Sequence, residues 1–183
     1  MADAMRADAR RNRERIVEVA ALAFGTAQGP VSLEAIARDA GVGIGTLYRH
    51  FPSREVLVEA VYRAELAEVA ATAQELLRNH PPVEALRLWM DRYAMFVAAK
   101  RGMAESLKAI FDSGAVTAGD TRAGVVGAVG ALLAAGAADG SLRADVSADD
   151  VVTGLLGIML ACASPEQCDR MFDLLMAGLV TTR

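Results

Sequence analysis

The chain has 183 residues, of which 54% are apolar and 5% aromatic, and its formal net charge is −4. That length allows one medium-sized domain or two small ones sharing a core. Few aromatic residues imply a core of Ala, Leu and Val, which favours helices.

Two cysteines, Cys162 and Cys168, make no disulfide framework, and no apolar signal core opens the chain, so we expect a cytoplasmic protein. These cysteines are either buried apolar residues or a redox switch.

Basic charge is concentrated towards the N-terminus. Residues 1–54 contain eight Arg and six acidic residues, which gives this segment a net charge of +2. The remainder has a net charge of −6. Because an anionic DNA backbone responds to the local field, the N-terminal segment suits nucleic acid and the acidic remainder should lie away from it.

A first helix is predicted from about Asp8 to Ala27, since apolar residues recur there at helical spacing. Basic residues occupy the preceding arm and the start of this helix: Arg6, Arg10, Arg11, Arg13 and Arg15. They either form a solvated face or include one or two side chains that contact phosphates or a minor groove.

Two short helices joined by a tight turn are predicted between Ser32 and Arg54. Ser32 caps the first of them, and Gly41 ends it. The second ends before Pro52, and its apolar residues Ile44, Leu47 and Phe51 are predicted to point inward. The outer face would then hold four residues that suit phosphates or base edges: Thr46, Tyr48, Arg49 and His50.

The run Ala40-Gly41-Val42, followed by the residues from Gly45 to Glu55, resembles the DNA-binding signature of the tetracycline-repressor (TetR) family of transcription regulators. The resemblance implies an all-α protein of about nine helices. It also implies a helix-turn-helix DNA-binding domain at 1–54 and a helical ligand-binding and dimerisation domain at 55–183. The segments Arg101-Gly102-Met103 and Ala138–Arg143 are similar to the SbtR-like branch of that family.

DNA contacts follow from the resemblance. The expected DNA-binding residues are Ser32, Leu33, Gly43, Ile44, Gly45, Thr46, Tyr48, Arg49, His50, Arg54 and Arg11. Thr46 and Tyr48 lie where the family contacts bases or phosphates, although Tyr48 and His50 could instead be packing residues. Many relatives carry Ser or Lys where this chain has Gly43 and Ile44, so this chain has fewer polar base readers at that end.

Helices after Pro52 are predicted at 53–78, 82–102, 104–111, 119–138, 148–163 and 164–179. Gly124, Gly127 and Gly130 recur every three residues, which allows close approach of a neighbour, room for a ligand, or neutral drift. The apolar stretches 123–138 and 151–163 are shorter than the roughly 18 to 20 residues that span a membrane. We therefore expect buried helices and no membrane partner.

The resemblance further implies an effector pocket among the body helices and a dimer interface on the last two. The expected pocket residues are Trp89, Met90, Tyr93, Phe96, Met103, Leu107, Phe111 and Met159, which could equally be core residues. The expected interface residues are Val152, Leu155, Leu156, Met159, Met171, Leu174, Leu175 and Leu179, and the alternative is an intramolecular core.

Enzymatic chemistry has little support in the sequence. The two histidines, His50 and His80, lie in separate segments, and neither a metal-ligand spacing, a phosphate-binding glycine loop nor a GxSxG motif occurs. We expect that the protein is not an enzyme and that it has neither a cofactor nor a metal site. The expected function is a dimeric repressor that binds a palindromic operator and is released by a small apolar ligand. The alternative is a ligand-binding or protein-interaction module without specific DNA binding.

Overall fold

The computed structural model describes residues 2–26, 31–100 and 118–181, and these residues form eight helices. The helices are α1 (Ala2–Thr26), α2 (Leu33–Asp39), α3 (Ile44–His50), α4 (Arg54–Asn79), α5 (Pro82–Lys100), α6 (Ala118–Asp139), α7 (Ala148–Ala161) and α8 (Pro165–Leu179). The predicted all-α class is confirmed. The first helix begins at Ala2 rather than Asp8, and the short helix predicted at 104–111 lies outside the described residues.

The chain divides into two compact units, and the division passes through α4. One unit comprises Met1–Glu65 with Ala99–Thr117, and the other comprises Leu66–Ala98 with Ala118–Arg183. In the first unit, α1, α2 and α3 pack against one another, and the start of α4 joins their core. The most deeply buried residues of that core are Ile16, Ala20, Ile36, Ala37, Ala40, Leu47, Phe51, Leu57 and Val61.

Local signals in the sequence set the ends of α2 and α3. The Ser32 hydroxyl oxygen accepts a hydrogen bond from the backbone N–H of Ala35 at 3.3 Å, so the predicted cap is confirmed. Gly41 has φ of +65°, a conformation that other residues rarely adopt, and this turns the chain between the helices. The N–H of Val42 then donates to the carbonyl of Ala37 at 2.9 Å and closes the turn.

In the second unit, α6 packs against α7 and α7 packs against α8. Its largest fully buried side chains include Trp89, Met90, Leu132, Leu155 and Phe172. Two backbone hydrogen bonds join the end of α8 and the residues just after it to the α6–α7 loop. The N–H of Arg143 donates to Leu179 O at 2.9 Å, and the N–H of Thr181 donates to Ser141 O at 3.1 Å.

The glycines of α6 differ in their surroundings. A Cβ added at Gly124 or Gly127 would meet no described atom within 4 Å, and at Gly130 it would lie 3.8 Å from the Ala148 Cβ. At Gly136, which is outside the predicted stripe, an added Cβ would lie less than 3.0 Å from three carbon atoms of Leu142. Close approach in the described part of α6 therefore occurs at Gly136.

An 18-residue window of α6, Arg122–Asp139, has a mean hydropathy of 1.3 and is 33% buried. It is two residues longer than the stretch predicted from the sequence, and by length and composition alone it could cross a membrane. One such helix is weak evidence for a membrane span, because core helices share the same composition. Val125, Val129 and Leu132 of this helix are buried within the second unit.

Candidate nucleic-acid interface

Helix α3 is anchored by its inner face. Leu47 and Phe51 are completely buried in the core of the first unit, as the sequence predicts. A helix of seven residues has little stability of its own, so its position depends on these two anchors. The remaining side chains of α3 are consequently held in a fixed orientation on its outer side.

Ile44 lies on that outer side, and the prediction that it points inward was wrong. Its side chain is 38% exposed, and Tyr48, one turn later, is 44% exposed. Ile44 precedes Tyr48 by four residues, so the two side chains are neighbours along the helix surface. Ile44 therefore adds an apolar group beside Tyr48.

The polar side chains of α3 interact with one another along the helix. Arg49 Nη2 donates a hydrogen bond to Thr46 Oγ1 at 3.0 Å, and Arg49 Nε donates to the carbonyl of Gly45 at 3.4 Å. The ring of His50 is half-buried, and its centroid lies 6.3 Å from that of Phe51. The outer side of α3 thus presents a Thr46–Arg49 pair and the exposed ring of Tyr48.

Arg54 is engaged within the first unit. Its Nη1 donates to the carbonyl of Val31 at 2.6 Å, and its guanidinium lies 5.2 Å from the centroid of the Phe24 ring. These contacts join the segment before α2 to α1 and to the start of α4. The family resemblance makes Arg54 an expected DNA-binding residue, and nothing in the sequence pattern indicates this tertiary hydrogen bond.

The arginines of α1 also have partners. Arg10 pairs with Glu14 at 3.0 Å, and Arg11 pairs with Asp8. Both pairs are largely exposed, so each contributes little to stability. Arg13 lies over the Phe51 ring at 5.1 Å, a contact between α1 and the end of α3 that sequence reasoning missed.

The other predicted DNA-binding residues lie at the starts of α2 and α3. Ser32 caps α2 and also donates a hydrogen bond to Glu34 at 2.7 Å, which lowers the pKa of the Glu34 carboxyl. Leu33 is buried in the core. Gly43 is the N-cap of α3, and a Cβ added at Gly43 or Gly45 would meet no described atom within 4 Å. Both glycines therefore leave room for a side chain on either side of the exposed Ile44.

Comparison with known proteins gives matches to both parts of the chain. Residues 20–61 match the family described as bacterial regulatory proteins, tetR family. Residues 81–181, more than half of the chain, match the family described as transcriptional regulator SbtR-like, C-terminal domain. The chain belongs to the TetR family. The family predicted from the run Ala40–Glu55 is thus confirmed, as is the SbtR-like branch.

Solved structures of TetR proteins resemble more than nine-tenths of the chain. A TetR transcriptional regulator from Streptomyces coelicolor is 42% identical, with a TM-score of 0.76, and the match covers 93% of this chain and 99% of that one. A TetR transcription regulatory protein from Mycobacterium vanbaalenii is 32% identical, with a TM-score of 0.70 and coverage of 97% and 99%. An HTH-type transcriptional regulator of Staphylococcus aureus is 30% identical over 109 residues, and the match spans 58% of its length.

The effector-pocket residues predicted for this TetR protein lie in the second unit where they are described. Trp89, Met90, Tyr93, Phe96 and Met159 are all buried, whereas Met103, Leu107 and Phe111 lie outside the described residues. The rings of Trp89 and Tyr93 stack with centroids 5.3 Å apart, and those of Tyr93 and Phe96 with centroids 6.3 Å apart. Trp89 Nε1 donates to the carbonyl of Val69 at 3.0 Å, which satisfies its one polar atom.

An open apolar groove of about 720 Å³ in the second unit was missed by sequence reasoning. It is lined by Pro81, Val83, Glu84, Arg87, Asp173, Met176, Ala177 and Val180. Arg87 connects α5 to α8 beside this groove: its guanidinium pairs with Asp91, lies 3.3 Å from Asp173 Oδ1 and lies 5.6 Å from the Phe172 ring centroid. The lining residues of the groove come from the region around the start of α5 and from the second half of α8. No periodic pattern in either helix indicates that these residues lie together.

The predicted dimer-interface residues of the TetR protein divide by exposure. Val152, Leu155, Met159 and Leu179 are buried within the chain itself, so they have little surface left for a partner. Leu156 and Leu175 are half-buried, while Met171 and Leu174 are exposed. Leu160, which the prediction omitted, is 82% exposed.

Proposed function

We propose that this TetR protein is a cytoplasmic transcriptional repressor that binds a palindromic operator as a homodimer and is released by a small, largely apolar ligand. Residues 1–54 would form the DNA-binding domain, and residues 55–183 would form the ligand-binding and dimerisation domain. No catalytic step is part of this proposal. Among the described residues, no group of three or more His, Cys, Asp or Glu could hold a metal ion.

The observation that carries the proposal is the presentation of α3. Leu47 and Phe51 hold the helix by its buried side, while Tyr48 and Arg49, which is hydrogen-bonded to Thr46, remain exposed. A single α-helix fits the major groove of B-DNA, and hydroxyl and guanidinium groups reach both phosphates and base edges there. The net charge of +2 on residues 1–54 favours the same partner.

Dimerisation is supported by exposed apolar side chains on α7 and α8. Leu160, Met171 and Leu174 are large apolar residues on the surface of the single chain. One recognition helix reads only a few base pairs, whereas a two-fold dimer reads two half-sites about 34 Å or more apart. A palindromic operator follows from that symmetry.

Release by a ligand would act through α4. This helix is continuous from Arg54 to Asn79 and contributes residues to both units. A ligand bound among the body helices would shift α4 and change the separation of the two recognition helices. The coupling requires that the ligand prefers the conformation that does not bind DNA.

The test is selection of binders from random duplex DNA by the purified full chain, at moderate salt and with non-specific competitor. We expect enrichment of an inverted repeat. Tyr48→Ala should abolish the enrichment while leaving the circular dichroism spectrum unchanged. If no sequence is enriched at any salt concentration, the repressor function is excluded, and the chain is instead a ligand-binding or protein-interaction module.

A further inference from the structure

The first two residues of α3 carry one side chain between them. Gly43 and Gly45 have none, and the structure leaves open space where a Cβ at either position would lie. Ile44 stands between them and is 38% exposed. The side chain that the segment 43–45 offers to a partner is therefore a branched hydrocarbon.

Polar side chains begin only at the next residue, and there they are paired. The Thr46 hydroxyl accepts a hydrogen bond from Arg49, which also donates to the carbonyl of Gly45. The Tyr48 phenol lies one turn beyond Ile44 on the same face. The outer face of α3 thus changes from apolar at its start to polar further along.

Base pairs that contain thymine present an apolar group in the major groove, and an exposed hydrocarbon side chain such as that of Ile44 can pack against it. Thymine has a C5-methyl group there, whereas cytosine has a hydrogen at the same ring position and the purines present hydrogen-bonding atoms. An exposed Ile side chain has no hydrogen-bonding atom, and it gains free energy only from contact with another apolar group.

We infer that Ile44 reads a thymine through its C5-methyl group in each half-site of the operator. The inference rests on the proposed DNA-binding function and adds a specificity determinant to it. Ile44 selects thymine over cytosine at one position, and the Thr46–Arg49 pair and Tyr48 contact the neighbouring bases or phosphates.

The probe is the duplex recovered by selection, with deoxyuridine replacing one thymine at a time. This replacement removes the methyl group and keeps the Watson–Crick hydrogen bonds. Affinity is measured by fluorescence anisotropy for the wild-type chain and for Ile44→Ala. Val56→Ala is the matched control, because Val56 is also β-branched, is 39% exposed and lies on α4 outside the recognition helix.

We expect one thymine position in each half-site at which deoxyuridine weakens wild-type binding about fourfold, the effect of losing contact with one methyl group. At that position Ile44→Ala should bind thymine and deoxyuridine duplexes equally, whereas Val56→Ala should retain the fourfold difference. Selection with Ile44→Ser, which replaces the hydrocarbon with a hydroxyl, should no longer enrich thymine there.

Two results would overturn the inference while leaving specific DNA binding established. Either no thymine is sensitive to loss of its methyl group, or the sensitivity is the same in Ile44→Ala and wild type. Failure of every duplex to be enriched would overturn the proposed function itself, and the inference with it. Circular dichroism of each variant separates loss of a contact from loss of fold.

Discussion

Gly136 is a residue at which the absence of a side chain is required by packing. Leu142 is buried against it, so the added methyl of Gly136→Ala has no room. Overpacking of this kind typically costs about 1–3 kcal/mol. We expect Gly136→Ala to lower the free energy of unfolding by that amount in urea denaturation.

Gly127 provides the matched control on the same helix. A Cβ there meets no described atom within 4 Å, so Gly127→Ala removes backbone entropy from the unfolded chain without a clash. We expect stabilisation of up to about 1 kcal/mol. If both substitutions change stability in the same direction, the packing of Leu142 on Gly136 is not as described.

Residue patterns in the sequence were sufficient to predict the anchors of α3 but not the position of Ile44. Leu47 and Phe51 are large apolar residues one turn apart, which makes their burial the natural reading. Ile44 is equally apolar, and a seven-residue helix contains too few apolar positions to define its buried face. Only tertiary packing reveals that Ile44 lies with Tyr48.

At the scale of elements, Arg122 fastens α6 to the first turn of α7. Its Nε donates to Asp149 Oδ1 at 2.7 Å, and its Nη2 donates to the carbonyl of Asp149 at 3.1 Å and to Thr153 Oγ1 at 2.6 Å. The hydrogen bond from Arg122 lowers the pKa of the Asp149 carboxyl. Because the folded-state pKa is below that of the unfolded chain, ionised Asp149 stabilises the fold.

This linkage predicts a loss of stability in acid. The contribution of Asp149 to the free energy of unfolding is fully present above the unfolded-state pKa of about 3.9. It disappears as the pH falls through the lower, folded-state pKa. Asp149→Asn should therefore flatten the dependence of unfolding free energy on pH below about pH 5. Asp150→Asn, in the same helical turn, controls for loss of a carboxylate near the helix N-terminus. Equal slopes for the two variants would contradict a specific role for Arg122.

Elements were easier to predict than the contacts between them. Ser32, Gly41 and Pro52 mark helix ends through local chemistry, so the boundaries of α2 and α3 follow from the sequence. The hydrogen bond from Arg54 to Val31 joins residues that are 23 positions apart, and the hydrogen bond from Arg87 to Asp173 joins residues that are 86 positions apart. Neither pairing has a periodic signal, because both arise from the packing of one helix against a distant part of its unit.

At the scale of the whole molecule, the proposed dimer makes a prediction about association. Leu174 is 67% exposed, and a two-fold interface would bury it twice. Leu174→Glu should weaken dimerisation at least about 100-fold, since each buried Leu contributes about 1.5–3 kcal/mol. Light scattering after size-exclusion chromatography should then detect monomers.

Leu22 provides the control for that experiment. It is a leucine of similar exposure, 70%, and lies on α1 in the first unit. Leu22→Glu adds the same charge and should leave the molecular mass of the assembly unchanged. A dimer that survives Leu174→Glu would place the association surface elsewhere.

The two glycines beside Ile44 have an evolutionary consequence. Gly43 and Gly45 have room for a side chain, and Gly43 is an N-cap, where Ser is at least as favourable as Gly. The glycine codons GGU and GGC become serine codons through a single nucleotide change. After gene duplication, one such change could give a daughter protein a new target preference without loss of stability, so the two copies could diverge in the genes they control.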